Sequence, residues 1–413
     1  MGLSVVNVKA AQKFGIDVAH IERNIDVEKN VRDLGNDLSF LGVREFERTK
    51  HVHRLHPYLG KFIPQLVEVF LRKYFEPGQT VLDPFAGSGT TLVEANALGM
   101  NSIGLDISAF NVLIQKVKTR LYNIPFMEKE VSEALARLSE FSRSLQRNTD
   151  GLFAGNGKRL ETKSEYLNEW FSDRALQEIL FYRNILDEYN NKDLMTIILS
   201  RAARSARLIA HYDLARPKKP VRGQYWCIKH NRYCEPIDEA YKFIHRYSLD
   251  SIDRIKEYAQ LRTKSEVDCI LGDSRTWKYR RRTKLDGIFT SPPYVGIIDY
   301  HEQHRYAYEL FDFIRCDEQE IGPAFKGSSR QAIKNYVQGI TEVFQNVCRY
   351  LKPGAPVLIV ANDKFGLYES IGESCGLELE DVYHRPVLMR TERDSNKYFE
   401  SIFCFRNINV ESS

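Results

Sequence analysis

The sequence predicts an α/β fold: a doubly wound, Rossmann-like sheet interrupted by a mainly helical insertion. Three observations carry this reading. The short apolar run VLDPF (81–85) leads into the glycine-rich AGSGTT (86–91), then into the helical spacing of TLVEANALGM (91–100), and SIGLDI (102–107) begins a second strand. Short apolar runs resume far downstream, at VDCILGD (267–273), LDGIFT (285–290), APVLIVAND (355–363) and YFESIFCF (398–405). Between them the pattern is helical and highly charged, as in MEKEVSEALARLSEFSRSLQR and SDRALQEILFYRNILDEY. Strand, glycine turn, helix, strand is how an open α/β sheet begins.

Taken in order, residues 1–50 are mixed and polar, with short helical patterns and no chemical signature. From HPYLGKFIP (56–64) the texture changes. IPQLVEVFLRKYF (63–75) has helical apolar spacing, and EPGQ (76–79) ends it with a turn. The expected division is an N-terminal segment 1–50, a catalytic domain from 51–124 and 265–408, and an insertion over 125–264. A turn-rich stretch, RPKKPVRGQYWCIKHNRYCEP (216–236), interrupts the insertion.

Composition narrows the functional classes. A chain of 413 residues exceeds one modest core. With 43% hydrophobic and 28% charged residues it reads as an ordinary globular protein. No apolar run approaches the ~20 residues of a membrane span, and MGLSVVNVKAAQKF lacks the layout of a signal peptide. Seven cysteines scattered over such a length predict no disulfide framework and a cytoplasmic setting. The net charge of +4 neither demands nor excludes nucleic acid, so distribution decides. Basic residues gather in ARPKKPVR (215–222), which holds Lys218, Lys219 and Arg222, and in KYRRRTK (278–284). Arg201, Arg204 and Arg207 recur at three-residue spacing, along one side of a helix. A solvated face and a phosphate-binding face explain any one cluster about equally well.

The chemistry gathers at strand ends. DPFAGSGTT (83–91) lies at the carboxyl end of the first strand, where open α/β sheets bind ligands and glycines let the backbone approach them. Thr90 stands where a nucleotide P-loop needs Lys, and the third glycine of a dinucleotide fingerprint is missing. Asp106 ends the second strand, where a carboxylate can accept hydrogen bonds from ribose hydroxyls, and Asp273 ends the third. Any one Asp could be a cap or a turn; the set suits a nucleoside-bearing cofactor. LDGIFTSPPY then delivers a stiff turn to the same edge, because two prolines can continue neither strand nor helix.

These motifs resemble the S-adenosylmethionine-dependent amino-methyltransferases that modify exocyclic amines of DNA bases, including those of restriction-modification systems. DPFAGSGTT resembles their cofactor loop, LGLDIS the ribose-binding strand end, and SPPY the catalytic tetrapeptide. HPYLGKFIP resembles the segment that closes over the methionine part of the cofactor, and RTERDSNKYFESIFCF the closing hairpin. The resemblance implies a methyltransferase sheet, S-adenosyl-L-methionine as cofactor, and double-stranded DNA as partner. It implies cofactor contacts from Tyr58, Phe62, Asp83, Phe85, Gly87, Gly89, Thr90, Asp106, Ile107 and Asp273. Catalysis would fall to Ser291, Pro292, Pro293 and Tyr294, and DNA contacts to Arg201, Arg204, Arg207, Lys218, Lys219 and Arg222.

Physics supports the same reading. The lone pair of a base amine is delocalised into its ring, so the amine is a poor nucleophile. A rigid turn can align it, and alignment alone removes several kcal/mol of barrier. Ser291 and the carbonyl before Pro293 can accept from the amine, and Tyr294 can stack on a base flipped from the duplex. Within the family, Ser before Pro-Pro-Tyr mostly accompanies cytosine, and Asp or Asn adenine. Ser291 therefore points to the 4-amino group of cytosine. The motif order departs from many cytosine enzymes, since the cofactor loop comes first here, so adenine N6 stays open. Methylation of an RNA base amine and a non-catalytic binder that keeps the cofactor pocket are further alternatives. A separate restriction endonuclease and a solitary role are both compatible with the motifs.

Two weaker signals remain. Cys227, His230 and Cys234 form C-x2-H-x3-C, plausible zinc spacing with His245 or Cys269 as a fourth ligand. Without a second CxxC pair, no metal is expected, and the segment reads as a loop packed by Tyr225 and Trp226. HEQHRYAYELF (301–311) reads as a helix lining the substrate cleft rather than a metal pair.

Overall fold

The computed structural model describes residues 38, 40, 42–58, 60, 62–149, 159–214, 217–387 and 398–408. Its frame is a seven-stranded sheet. The strands are β1 (Thr80–Asp83), β2 (Asn101–Asp106), β5 (Val267–Leu271), β6 (Gly287–Thr290), β7 (Pro356–Ala361), β8 (Leu377–Val387) and β9 (Tyr398–Asn407). A separate hairpin pairs β3 (Tyr225–Cys227) with β4 (Arg232–Cys234). The order across the main sheet is β5-β2-β1-β6-β7-β9-β8. All pairings are parallel except those of β9, which runs antiparallel to both β7 and β8. Strand order reverses between β1 and β6, and the carboxyl ends of such a pair enclose the crevice where open sheets bind ligands.

Helices cover both faces. On one, α1 (Pro64–Tyr74) starts with Pro at its first turn and buries Leu66, Val67, Phe70 and Leu71 at helical spacing. They meet Phe289, Leu358 and Ile402 of the sheet in one core. On the other, α9 (Arg330–Cys348) sets Ile340, Val343, Phe344 and Val347 against Leu82, Ile288 and Val357. Phe289, fully buried, contacts Phe62 edge-on at 5.6 Å. Burying such a ring is worth about 1.5–3 kcal/mol.

Two more helices frame the crevice. α2 (Thr90–Ala97) follows the glycine loop, and α3 (Ala109–Thr119) follows β2, capped by the Ser108 hydroxyl accepting from Asn111 N. The inserted region supplies α4 (Ile124–Thr149), α5 (Asp173–Ile185), α6 (Lys192–Ala206) and α7 (Tyr241–Ala259), and α8 (Arg305–Phe311) follows β6. Residues from α4 to α7 share one apolar core with Val93 of α2 and Phe110, Ile114 and Val117 of α3. The insertion is thus packed directly against α2 and α3, the helices that follow the glycine loop and β2.

β8 is a strand that the sequence pattern conceals. Its pairing with β9 shifts register between Leu379 and Asp381, and that bulge breaks the period-two alternation of LELEDVYHRPV. No helix among the described residues is long and apolar enough to cross a membrane.

Candidate active site

A cleft opens at the carboxyl ends of β1, β2, β5 and β6. Tyr58, Phe62, Phe85, Gly87, Thr90, Asp106, Ile107 and Asp273 all line it, together with Ser291 and Pro293. Its walls are therefore largely apolar, with a few convergent polar groups.

Gly87 has φ 49°, and a Cβ there would stand 3.2 Å from the Tyr58 hydroxyl, so only glycine keeps this wall open. Its N–H donates to Asp106 Oδ2 at 2.9 Å, while Oδ1 accepts from Ser108 N and from the Asn111 amide. An ionised carboxylate has about four acceptor sites, so one is left for a ligand. Burial raises Asp106 to about 6, against the pull of these three donors.

The loop is held from below by α3. Buried Lys118 donates from Nζ to Ser88 O at 2.6 Å, and Gln115 donates to Gly87 O at 3.0 Å. Neither residue belongs to a motif, and the sequence reading missed both. A lysine buried among apolar residues of an amphipathic helix was the available signal.

The SPPY turn forms the opposite wall. The Pro293 carbonyl accepts from Tyr336 at 2.9 Å, and that hydroxyl also meets Tyr368 at 2.6 Å. Tyr294 is buried, and its hydroxyl donates to Glu400 Oε1 at 3.0 Å; Glu400 in turn pairs with buried Arg385. Beyond the turn lies a second cavity, lined by Tyr294, Asn362, Phe365 and Tyr368. The turn is thus a partition: Ser291 faces the first cleft, and Tyr294 walls the second.

The family model N6_N4_Mtase, described as DNA methylase, matches residues 12–116. The chain is 42% identical over 436 residues to the type II methyltransferase M.MjaII of Methanocaldococcus jannaschii, covering 89% of this chain and 82% of that one. The chain belongs to the type II DNA methyltransferase family. It is also 26% identical to M.MvaI of Kocuria varians, over 71% of this chain and 64% of that one. Against M.BsoBI of Geobacillus stearothermophilus the figures are 22%, 66% and 55%.

Type II DNA methyltransferases of this kind use S-adenosylmethionine, and the cleft fits it. The remaining acceptor site on Asp106 suits a ribose hydroxyl, and Phe62, Phe85, Ile107 and Pro293 offer apolar contact for a ring and an alkyl chain. Bound there, the cofactor supplies an electrophilic methyl group on a sulfonium.

Three residues expected at the cofactor, Gly89, Asp83 and Asp273, are placed differently from the rest. Gly89 does not line the cleft: it caps α2 with φ 77° and faces Gln115, where a Cβ would come within 3.0 Å. Its glycine serves helix packing. Asp83 is also sealed away, its Oδ1 accepting from Thr290 Oγ1 at 2.6 Å and from Phe85 N at 3.1 Å. Asp273 does reach the cleft but carries Arg275, bound through both carboxylate oxygens.

The arginine stripe is corrected too. Arg201 is buried, paired with Asp250 at 2.6 Å and stacked on Tyr247 at 4.1 Å. Arg207 is buried against Trp170 and Tyr306 and donates to the carbonyls of Arg204 and Leu214. Arg201 and Arg207 turn onto Tyr247 of α7 and Tyr306 of α8, although Arg201 also borders the groove that Arg204 opens onto. Arg204 is half-buried and, like Arg201, lines this groove with exposed Arg54 and Arg246. Lys218, Lys219 and Arg222 are exposed as expected.

The segment after SPPY is not the single helix expected: it breaks at His304 into Tyr300–Gln303 and Arg305–Phe311, and of its two histidines His301 reaches the cleft while His304 does not. His301 lines the cleft and Glu320 accepts from its backbone N–H at 2.9 Å. His304 is buried beside Phe110, and burial together with Arg204 lowers it to about 3.

Proposed function

We propose that this chain transfers a methyl group from S-adenosylmethionine to the 4-amino group of cytosine in double-stranded DNA. One observation carries the reading: the SPPY turn separates the cleft from a second cavity, with Ser291 on one side and Tyr294 on the other. A cytosine flipped from the duplex enters the second cavity, where Tyr294 and Phe365 offer ring faces that offset part of the unstacking cost. Its amine then reaches the partition. Ser291 Oγ and the Pro292 carbonyl accept the two amine hydrogens, which withdraws the lone pair from the ring and aims it across the turn.

Positioning is the main contribution of these residues. The turn is pinned through the Pro293 carbonyl, and Tyr294 through Glu400, so the amine meets acceptors that need no reorganisation. Positive charge that builds on the amine leaves as a proton after transfer, so the tetrapeptide needs no carboxylate. Ser291, where adenine enzymes of this resemblance carry Asp or Asn, supports cytosine.

Around the site, Arg54, Arg204 and Arg246 line a groove that suits the phosphate backbone, with Lys218, Lys219 and Arg222 as further contacts from the insertion. Such contacts position a duplex without reading its sequence; base recognition falls to the insertion. A separate restriction endonuclease acting at the same site is the partner this role implies.

The test is methyl transfer from labelled S-adenosylmethionine to duplex DNA and to structured RNA. Label in DNA alone supports the reading. Label in RNA alone, or in neither with cofactor still bound, refutes it.

A further inference from the structure

A second constellation lies outside the cleft, in the hairpin of β3 and β4. Cys227 ends β3 and Cys234 ends β4, with His230 in the turn between them. His211, fourteen positions before the first strand by sequence, is brought to the same point by the loop after α6. The ligand atoms of His211, Cys227, His230 and Cys234 all lie within 4.8 Å of one another. Cys227 Sγ is 3.8 Å from His211 Nδ1 and 3.6 Å from His230 Nδ1, and His230 Nδ1 is 3.5 Å from Cys234 Sγ.

These separations have a specific meaning. With Zn–S near 2.3 Å and Zn–N near 2.0–2.1 Å, a tetrahedral ion sets its sulfur and nitrogen ligands about 3.5–3.6 Å apart. The fourth ligand is His211 and not the expected His245 or Cys269. His245 lies on α7 beside Tyr241, and Cys269 lies on β5 against Thr119.

Apart from the cysteines, the hairpin is held by few contacts: the Tyr225 hydroxyl accepts from His211 N at 3.0 Å, and Trp226 meets Tyr233 edge-on at 5.3 Å. Trp226, expected to pack this loop, is 49% exposed, as are Ile228 (68%) and Tyr233 (64%). The two cysteines are its buried side chains, and they are not disulfide-bonded. Strands of three residues do not hold a hairpin in water by themselves. We infer that His211, Cys227, His230 and Cys234 bind a structural zinc ion that staples this hairpin to the loop after α6. Four protein ligands close the tetrahedron, leaving no open position for a reactive water.

A second triad, His51, His53 and Glu94, does not qualify. Glu94 already pairs with Lys50 Nζ at Oε2 over 2.8 Å and with His53 Nε2 at Oε1 over 2.7 Å, so its charge and lone pairs are taken up within the protein.

The inference is independent of the proposed reaction, and none of the four residues lines the cleft. The experiment is metal analysis of the full-length chain purified without chelators, with Zn2+ and Co2+ as probes. One zinc per chain is expected, released when the thiols are modified. Cobalt-loaded protein should show thiolate-to-cobalt charge-transfer absorption. Cys227→Ser and Cys234→Ser should lose the metal and His211→Ala should weaken its retention against a competing chelator, while Cys269→Ser keeps it. Wild-type protein that neither holds zinc nor gives the cobalt band overturns the inference, whatever the folding of the variants. So does a Cys227–Cys234 disulfide found by peptide mapping of unreduced protein.

Discussion

Thr290 Oγ1 donates to Asp83 Oδ1 over 2.6 Å, joining the last residue of β6 to the last residue of β1. Both side chains are buried. The bond couples the strand that delivers SPPY to the strand that delivers the glycine loop, at the point where strand order reverses. The glycine loop and the SPPY turn are therefore fixed to each other through a carboxylate that is not part of the cleft wall. Thr290→Val should leave that buried carboxylate short of a donor and destabilise the fold by about 1–3 kcal/mol. Burial already raises Asp83 to about 6, so the loss should be larger at pH 8, where Asp83 is ionised, than at pH 5. Denaturant unfolding at the two pH values measures it.

Asp106 should make cofactor binding pH-dependent. Its burial raises the carboxyl to about 6, above the ordinary 3.8 of an unfolded chain. The ionised form is therefore penalised in the folded protein: this group's contribution to stability is full below about 4 and is lost as pH rises through about 6. A ribose hydroxyl needs the ionised carboxylate. S-adenosylmethionine affinity should hold steady above pH 7 and fall below 6, approaching about tenfold per pH unit. Asp106→Asn should bind more weakly and lose this dependence. Calorimetry across pH 5–8 decides, and a flat wild-type profile would remove Asp106 from the ribose site.

Tyr294 and Ser291 should separate binding from turnover. Tyr294→Ala should cost about 1–3 kcal/mol of stacking with the flipped base, whereas Tyr294→Phe keeps the ring and loses only the bond to Glu400. Ser291→Ala removes an acceptor used mainly as the amine gains charge, so kcat should fall more than DNA affinity. Single-turnover kinetics with separate binding measurements distinguish these effects. Equal kcat for Ser291→Ala and wild type would withdraw the assignment.

Arg54, Arg201, Arg204 and Arg246 border one groove, and Arg201 is set apart by its buried pair with Asp250. Replacing Arg54, Arg204 and Arg246 with Ala should weaken DNA binding on every sequence and flatten its salt dependence. Replacing Arg201 should instead act on folding, because it leaves Asp250 without its buried partner. Salt titrations of DNA affinity beside unfolding curves test the division; a salt slope unchanged in the triple variant would exclude the groove.

What the sequence made legible was local. DPFAGSGTT, LGLDIS and SPPY each carry their own turn chemistry, and α/β topology then dictates that strand ends meet. Less legible was anything set by a neighbouring element. Gly87 and Gly89 look alike as letters, but one faces Tyr58 across the cleft and the other faces Gln115 of a packed helix. The spacing of Arg201, Arg204 and Arg207 gave a side of α6 without saying what lies against it. Lys118 supports the loop from a helix that reads as plain amphipathic, and His211 joins the hairpin cysteines through a loop whose course no spacing rule predicts.

Nucleoside mass spectrometry of duplex DNA after methylation by the purified chain tests the central claim most directly. N4-methylcytosine as the product, absent with the Ser291→Ala variant, is the predicted result. N6-methyladenine would keep the fold and the partitioned site but contradict the choice of base. A methyl on a ring carbon, or no methylated nucleoside at all, would contradict the account of amine transfer at residues 291–294.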